Sequence, residues 1–371
     1  MRMPLFHRMK RRGVLFSALL LSSLLLAACG GNSPSILNPS GPVAGKEAGL
    51  FWFILVVATI VFVAVEGVLI YSIVRFRERP NAPAPRQIHG NNTVELIWTI
   101  APSIFLFAVL IGTIYTMFNL RQISGTGRPV DVKVVGHQWW WEFDYVNEGI
   151  VTADELHIPV GTVINASLQS TNVIHSFWVP ELFGKTDVVP GHNNTSVFSA
   201  DKTGTYRGLC TEYCGLQHAH MNFNVVVQSQ DDYNAWVTAQ QQAAAAKPTD
   251  PNALAGQNLF VGSGGCQGCH GIVGVNLRSY NDPRGNPLIG PNLTHFGSRR
   301  FIAGGVLAWD PASCVVVAGS DGKPKIQNPS ACGLYQWLKD PQGVKSGNDM
   351  TIRSLSDTEI AQLIAYLETL T

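Results

Sequence analysis

Two long apolar runs, Leu50 to Val74 and Val94 to Phe118, constrain this chain more than any other feature, because each is long enough to cross a bilayer as a helix. In hydrocarbon the backbone must satisfy its own hydrogen bonds, so the runs are expected as two helices forming an antiparallel transmembrane hairpin over residues 48–122. Between them lie Arg75, Arg77, Arg79 and Arg86, with Pro80, Pro83 and Pro85. The positive-inside bias puts this loop in the cytoplasm and both flanking parts outside. Glu66 within the first run and Glu95 at the mouth of the second are costly at membrane depth unless they serve a partner or a proton path.

Ahead of the hairpin, Arg2, Arg8, Lys10, Arg11 and Arg12 precede an apolar stretch from Val14 to Ala28 that ends Leu26-Ala27-Ala28-Cys29-Gly30. That is the arrangement of an export signal, and the stretch is short for a transmembrane helix. It resembles a bacterial lipoprotein signal, which implies removal of residues 1–28, lipidation of Cys29 and an external N-terminal segment over 29–47. The leader holds five of the 26 basic residues and none of the 25 acidic ones, so the mature chain is net acidic. With only 14% charged residues there is no sign of a nucleic-acid partner. The membrane lipid is the partner the sequence demands, and 371 residues leave room for two or three domains.

From Val130 the pattern changes to short β-rich segments, Val130 to Val135, Val163 to Leu168, Ile174 to Val179 and Asn222 to Val227, separated by Gly, Pro and Asn. Such spacing reads as an all-β sandwich or Greek-key barrel, placed at residues 128–230. The aromatic cluster Trp139, Trp140, Trp141, Phe143 and Tyr145 fits ordinary sheet packing and equally an aromatic at which electrons enter. The informative stretch is Cys210-Thr211-Glu212-Tyr213-Cys214-Gly215-Leu216-Gln217-His218-Ala219-His220-Met221. Thiolate, thioether and imidazole groups in one loop favour copper, with His175 available as a second imidazole. A Cys210–Cys214 disulfide is the alternative in an exported protein, but it leaves His218 and Met221 unexplained. Zinc is disfavoured because Met is a poor zinc ligand.

Cys-Thr-Glu-Tyr-Cys-Gly followed by His218 and Met221 closely resembles the dinuclear copper loop of subunit II of haem-copper cytochrome c oxidases. Val94-Glu95-Leu96-Ile97-Trp98-Thr99-Ile100, Gly136-His137-Gln138-Trp139-Trp140-Trp141, His175-Ser176-Phe177-Trp178-Val179-Pro180 and Lys185-Thr186-Asp187 before Pro190-Gly191 are similar to that family too. The resemblance covers approximately residues 48–230 and implies a cupredoxin-like domain holding a CuA centre. Cys210 and Cys214 would bridge both coppers, His175 and His218 would each bind one, Met221 would be a weak ligand, and Glu212 would offer its carbonyl. The Glu212 side chain would reach a magnesium or manganese ion shared with subunit I. Trp139 would be the tryptophan at which electrons enter, and Glu95 the carboxylate at the entrance of a proton channel. His220 matches no ligand position.

Asp231 to Ala246 reads as a helix that Lys247-Pro248-Thr249-Asp250-Pro251 breaks, so 231–251 forms a helix and linker. Beyond it, Cys266-Gln267-Gly268-Cys269-His270 is the c-type haem attachment pattern, with two thioether positions and an adjacent axial imidazole. Leu254 to Phe260 is helix-like. Ser356-Asp357-Thr358-Glu359 is a capping box with Leu355 and Ile360 set for a hydrophobic staple, and Ile360, Leu363, Ile364 and Leu367 form an apolar face expected to pack on the first helix.

The sixth iron ligand is expected from Met350, the only methionine after the motif, with His295 as runner-up. Gly290 to His295 with Gly297-Ser298-Arg299, and Trp337 to Gln342 through Lys345, Gly347, Asn348 and Met350, resemble cytochrome c domains fused to this subunit in bacterial caa-type oxidases. The resemblance implies an all-α class I cytochrome c domain over 252–371 and favours Met350, although Thr351 stands where that family has proline. Cys314 and Cys332, outside both motifs, are expected to form one disulfide in an exported domain. The function implied is electron transfer from an exported cytochrome or quinol-oxidising complex, through haem c and CuA, to subunit I. That subunit, assembled with subunit III in a bacterial plasma membrane, would reduce oxygen with proton pumping. A membrane-tethered electron carrier or copper-handling protein without an oxidase core is the alternative.

Overall fold

The computed structural model describes residues 33–77, 87, 90–120, 122–243, 247–282 and 289–371. The export leader, Cys29, Arg79, Arg86 and the prolines of the expected cytoplasmic loop lie outside the described residues. Residues 36–371 form one compact unit.

Helix α1, Pro42–Arg75, and helix α2, Asn92–Leu120, are both long and apolar enough to cross a membrane. Their large side chains, such as Phe62, Val63, Ile104 and Leu106, are exposed along most of their length, which suits lipid or a partner helix and not water. Lys46 near the start of α1 donates to the carbonyls of Asn119 at 2.7 Å and Gln122 at 3.1 Å. It thereby satisfies carbonyls at the C-terminal end of α2 and fixes the two helices antiparallel. Helix α1 begins earlier than the apolar run. Its first turns bury Val43, Ala44 and Ala48 against the β domain, and the backbone N–H of Ala44 donates to the Leu182 carbonyl at 3.2 Å. Part of the external N-terminal segment expected over 29–47 is thus helix docked on the sandwich.

The β domain has ten strands: β1 Val130–His137, β2 Trp140–Tyr145, β3 Ile150–Ala153, β4 Glu155–Pro159, β5 Ile164–Ser170, β6 His175–Val179, β7 Phe183–Val188, β8 Asn194–Phe198, β9 Gly204–Cys210 and β10 Asn222–Gln228. They make two five-stranded sheets of order β3-β2-β1-β5-β8 and β4-β10-β9-β6-β7. Alternating inward residues fill the space between them, with Trp141, Phe143, Phe177 and Phe223 in mutual ring contact at 4.7–6.3 Å. The pairing β1–β5 and β4–β10 is parallel and the rest antiparallel, consistent with a cupredoxin-like sandwich.

Helix α3, Gln230–Gln240, is capped by Ser229 and lies on the sandwich, where Trp236 stacks on His157 at 4.4 Å with 7° between ring planes. The helix expected to run on to Ala246 ends at Gln240. Side chains of the C-terminal module take its last carbonyl: Tyr280 Oη donates to Gln240 O at 3.0 Å, and His295 Nε2 lies 3.2 Å from the carbonyls of both Gln240 and Gln242.

The C-terminal module is built on the crossing of α4, Pro251–Val261, with α7, Asp357–Leu367. Asp250 caps α4, and Ser356 with Glu359 forms a complete capping box on α7. The helices meet at Gly256, where an added Cβ would stand 2.0 Å from the Gln362 carbonyl oxygen. Between them lie the hairpins β11 Phe301–Ile302 with β12 Leu307–Ala308 and β13 Val316–Ala318 with β14 Pro324–Ile326, then α5 Gly333–Lys339 and α6 Pro341–Val344. The module is therefore helical with two added hairpins, a departure from an all-α domain. Its extra strands fall in the Gly- and Pro-rich stretch that carries Cys314 and Cys332, which are joined by a disulfide with Cα atoms 4.8 Å apart.

Candidate metal and redox centres

The end of β9, the start of β6 and the following turn bring His175, Cys210 and Cys214 together, so that their ligand atoms all lie within 4.8 Å of one another. Cys210 Sγ is 3.7 Å from Cys214 Sγ and 3.9 Å from His175 Nδ1. Cys214 Sγ is 3.6 Å from His218 Nδ1 and 3.8 Å from Met221 Sδ, and Cys210 Sγ is 3.3 Å from the Glu212 carbonyl oxygen. The two thiols are free, and Cys210, Cys214, His175 and Met221 are all buried. The contact between the two thiols, with His175 beside them, pushes Cys210 down and Cys214 up. Cys210 is thus the more readily ionised of the two, and the thiolate is the form that binds soft metal.

Among the surrounding groups, Asn172 stands outside every motif quoted from the sequence. Asn172 Oδ1 sits 3.2 Å from His175 Nε2, which fixes the ring and leaves Nδ1 toward the sulfurs. Gly136 admits the ring, since a Cβ there would meet His175 Cδ2 at 2.7 Å. The Cys214 carbonyl accepts from Gln138 Nε2 at 2.7 Å and from Trp139 Nε1 at 3.0 Å. His220 faces outward, with Nδ1 2.7 Å from Gln217 Oε1. The half-exposed Glu212 carboxylate accepts from Lys185 at 2.9 Å. Glu95 lies in the first turn of α2, where one carboxylate oxygen accepts from the backbone N–H of Asn91 at 3.3 Å.

A second concavity, of about 470 Å³, opens in the C-terminal module. Cys266, Cys269 and His270 stand on its wall with Leu293, Phe296, Ile302, Trp337 and Met350. Its size and apolar lining are those of a cofactor site. His270 Nδ1 is 2.8 Å from the Pro291 carbonyl oxygen, which sets the tautomer and frees Nε2, and loss of hydration pushes this imidazole down and keeps it neutral. A side chain at Gly290 would press on that ring at 2.6 Å. Both cysteines are free. Met350 borders the cavity, whereas His295 is buried away from it against the end of α3.

Trp139 and Trp140 of the β domain line the same cavity, so the two sites share a wall. Trp139 faces the cavity while its indole N–H donates to Cys214. At this seam Lys345 is buried, with burial pushing it down to about 8, and burial pushes Asp154 up to about 6.

Apolar helices joined to a sandwich that gathers thiol, imidazole and thioether groups define a class: membrane-anchored proteins with an extracytoplasmic domain fitted to a soft metal. Comparison with known proteins gives the family. "Cytochrome C oxidase subunit II, transmembrane domain" matches residues 36–114, and "Cytochrome C oxidase subunit II, periplasmic domain" matches residues 149–230. The chain is 33% identical to cytochrome c oxidase subunit 2 of Alkalihalophilus pseudofirmus over 96% of each chain. It is 33% identical to that of Bacillus sp. strain PS3 over 96% of this chain and 97% of the relative. Quinol oxidase subunit 2 of Bacillus subtilis is 31% identical over 65% of this chain and 75% of the relative. The chain belongs to the cytochrome c oxidase subunit II family. It is an electron-transfer subunit of a respiratory haem-copper oxidase complex, and oxygen reduction is not carried by this subunit.

Proposed function

We propose that this chain takes electrons from an exported cytochrome or quinol-oxidising complex through a c-type haem and a CuA centre, and delivers them to the oxygen-reducing subunit I. The single observation that carries the reading is the shared wall: the Cys266/Cys269/His270 cavity and the Cys210/Cys214 loop meet at Trp139. Relatives named cytochrome c oxidase match across the C-terminal module as well, which favours this reading over a quinol oxidase role.

In this reading Cys210, Cys214, His175, His218, Met221 and the Glu212 carbonyl would hold a dinuclear copper centre. Cys266 and Cys269 would attach a haem, and His270 and Met350 would hold its iron. When bound, these groups supply reversible one-electron storage. The protein's own work is positional. Asn172 and Gly136 hold His175 in one orientation, and Pro291 holds His270. Burial of the Cys210, Cys214 and Met221 sulfurs excludes water and limits rearrangement when charge changes. Trp139 bridges the two sites by an aromatic ring on one side and a hydrogen bond on the other. Glu212 presents its carboxylate for a magnesium or manganese ion shared with subunit I, in exchange for Lys185. Glu95 marks a proton-channel entrance at the end of α2 facing the cytoplasm, and Cys29 is the lipidated N-terminus.

The two helices span the plasma membrane beside subunits I and III, with both redox modules on the external side. Purifying the chain from native membranes and mixing with reduced external cytochrome tests the assignment. Sequential reduction of covalent haem, then copper, then partner haems is expected. A chain that purifies without an oxidase core supports the tethered-carrier alternative instead.

A further inference from the structure

The β11–β12 hairpin turns through Ala303, Gly304 and Gly305, all left-handed with φ of 57°, 67° and 81°, and its tip enters the seam between the two redox modules. There the Lys345 ammonium, only 3% exposed, donates to three carbonyls: Trp139 at 2.6 Å, His220 at 2.8 Å and Ala303 at 2.9 Å. An ammonium has three N–H donors and no acceptor, so this geometry satisfies it completely, and a buried charge is tolerated only when so satisfied. Two of the acceptors belong to the β domain. Trp139 is tied to Cys214, and His220 lies in the thiol loop between His218 and Met221. The third is the hairpin tip. Lys345 itself stands in the loop that leads to Met350, where Asn348 Nδ2 donates to the Lys345 carbonyl at 2.6 Å and Asn348 Oδ1 accepts from the Met350 N–H at 2.7 Å.

Other bonds cross the same seam. The Asn222 N–H donates to Gly304 O at 3.1 Å, Gln217 Nε2 to Ser346 O at 2.7 Å, and the Arg300 N–H to Glu155 Oε1 at 2.7 Å. Gly304 leaves no slack, since a Cβ there would meet Lys345 Nζ at 2.5 Å and the His220 carbonyl at 2.7 Å.

We propose that Lys345 and the Ala303–Gly305 tip form a latch that fixes the C-terminal module on the thiol loop, so that electrons pass through a standing contact at Trp139. Lys345 is a positioning residue in this account. Its role in docking stands on the geometry, and its role in electron passage rests on the proposed function.

The test uses the full-length chain in its detergent-solubilised complex, as wild type, Lys345→Met and Gly304→Ala. Lys345→Met keeps the length of the side chain and removes its donors. Gly304→Ala leaves Lys345 intact and displaces the tip. In both, amide exchange at Asn222 and Arg300 is expected to accelerate roughly 10- to 100-fold, the range for losing a buried charged hydrogen-bond set. Amides of β1 and β5 should stay unchanged. Haem-to-copper electron transfer should slow with each centre's absorption spectrum unaltered. Wild-type exchange rates at Asn222 and Arg300 in both variants overturn the latch, whatever the cofactor content. Faster exchange in a wild-type fold that carries neither cofactor upholds the latch and overturns the functional reading.

Discussion

Gly256→Ala tests whether the C-terminal module depends on the close crossing of α4 and α7. The new methyl would meet Gln362 O at 2.0 Å, Gln362 C at 2.6 Å and Tyr366 Cβ at 2.8 Å. Ordinary contact begins near 3.4 Å, so the helices must separate by more than 1 Å at their crossing. Two of the opposing atoms are backbone and cannot rotate away, so the overpacking cost falls at the upper end of its usual range, about 3 kcal/mol. Alanine's better helix propensity returns about 1 kcal/mol, leaving a net loss of about 2 kcal/mol. That converts to roughly 30-fold faster amide exchange in α4 and α7. Hydrogen exchange of the full-length chain reads both helices separately from the sandwich, whose strands should not change. Unchanged or slower exchange in α4 and α7, the result helix propensity alone would give, refutes the reasoning.

Asn172→Ala removes the group that orients His175 and should weaken copper binding about 10- to 100-fold, as loss of such a supporting partner does; competition against a chelator of known affinity measures it. Replacing Cys314 and Cys332 together by Ser opens a loop of sequence separation 18. It should cost about 3 kcal/mol of stability by the chain-entropy model, read as a lower denaturant midpoint. Asp154 has its folded pKa raised to about 6 from 3.8, so the native state holds the proton more tightly and this contribution is complete below 3.8. It is lost as pH rises through about 6, amounting to about 3 kcal/mol between the two limits. In Asp154→Asn, which keeps the acceptor for the Trp141 N–H, that pH-dependent loss should vanish; identical pH profiles of unfolding would count against it.

The parts legible in the sequence are those whose signal is local. The apolar runs declare α1 and α2, the Ser356 capping box starts α7, and the Cys210–Met221 and Cys266–His270 stretches each gather their sulfur and imidazole groups within a short segment. What escaped is assembled across distance. Lys345 enters the sequence reading only as part of a resembling stretch, and its role emerges once the fold places three carbonyls from Trp139, His220 and Ala303 around it. Asn172 sits in a polar turn and becomes a partner of His175 only through strand geometry. The early start of α1 was hidden because Val43, Ala44 and Ala48 pack on the β domain and not in lipid. The premature end of α3 was equally hidden, since nothing local foretells that Tyr280 and His295 will take its last carbonyls.

Metal and haem analysis of the native membrane complex, joined to near-infrared and electron-spin spectra, addresses the central claim directly. The account predicts two coppers with a mixed-valence signature and one covalently bound haem per chain. Gently purified chain without copper, or with Cys266 and Cys269 still free thiols, would contradict it.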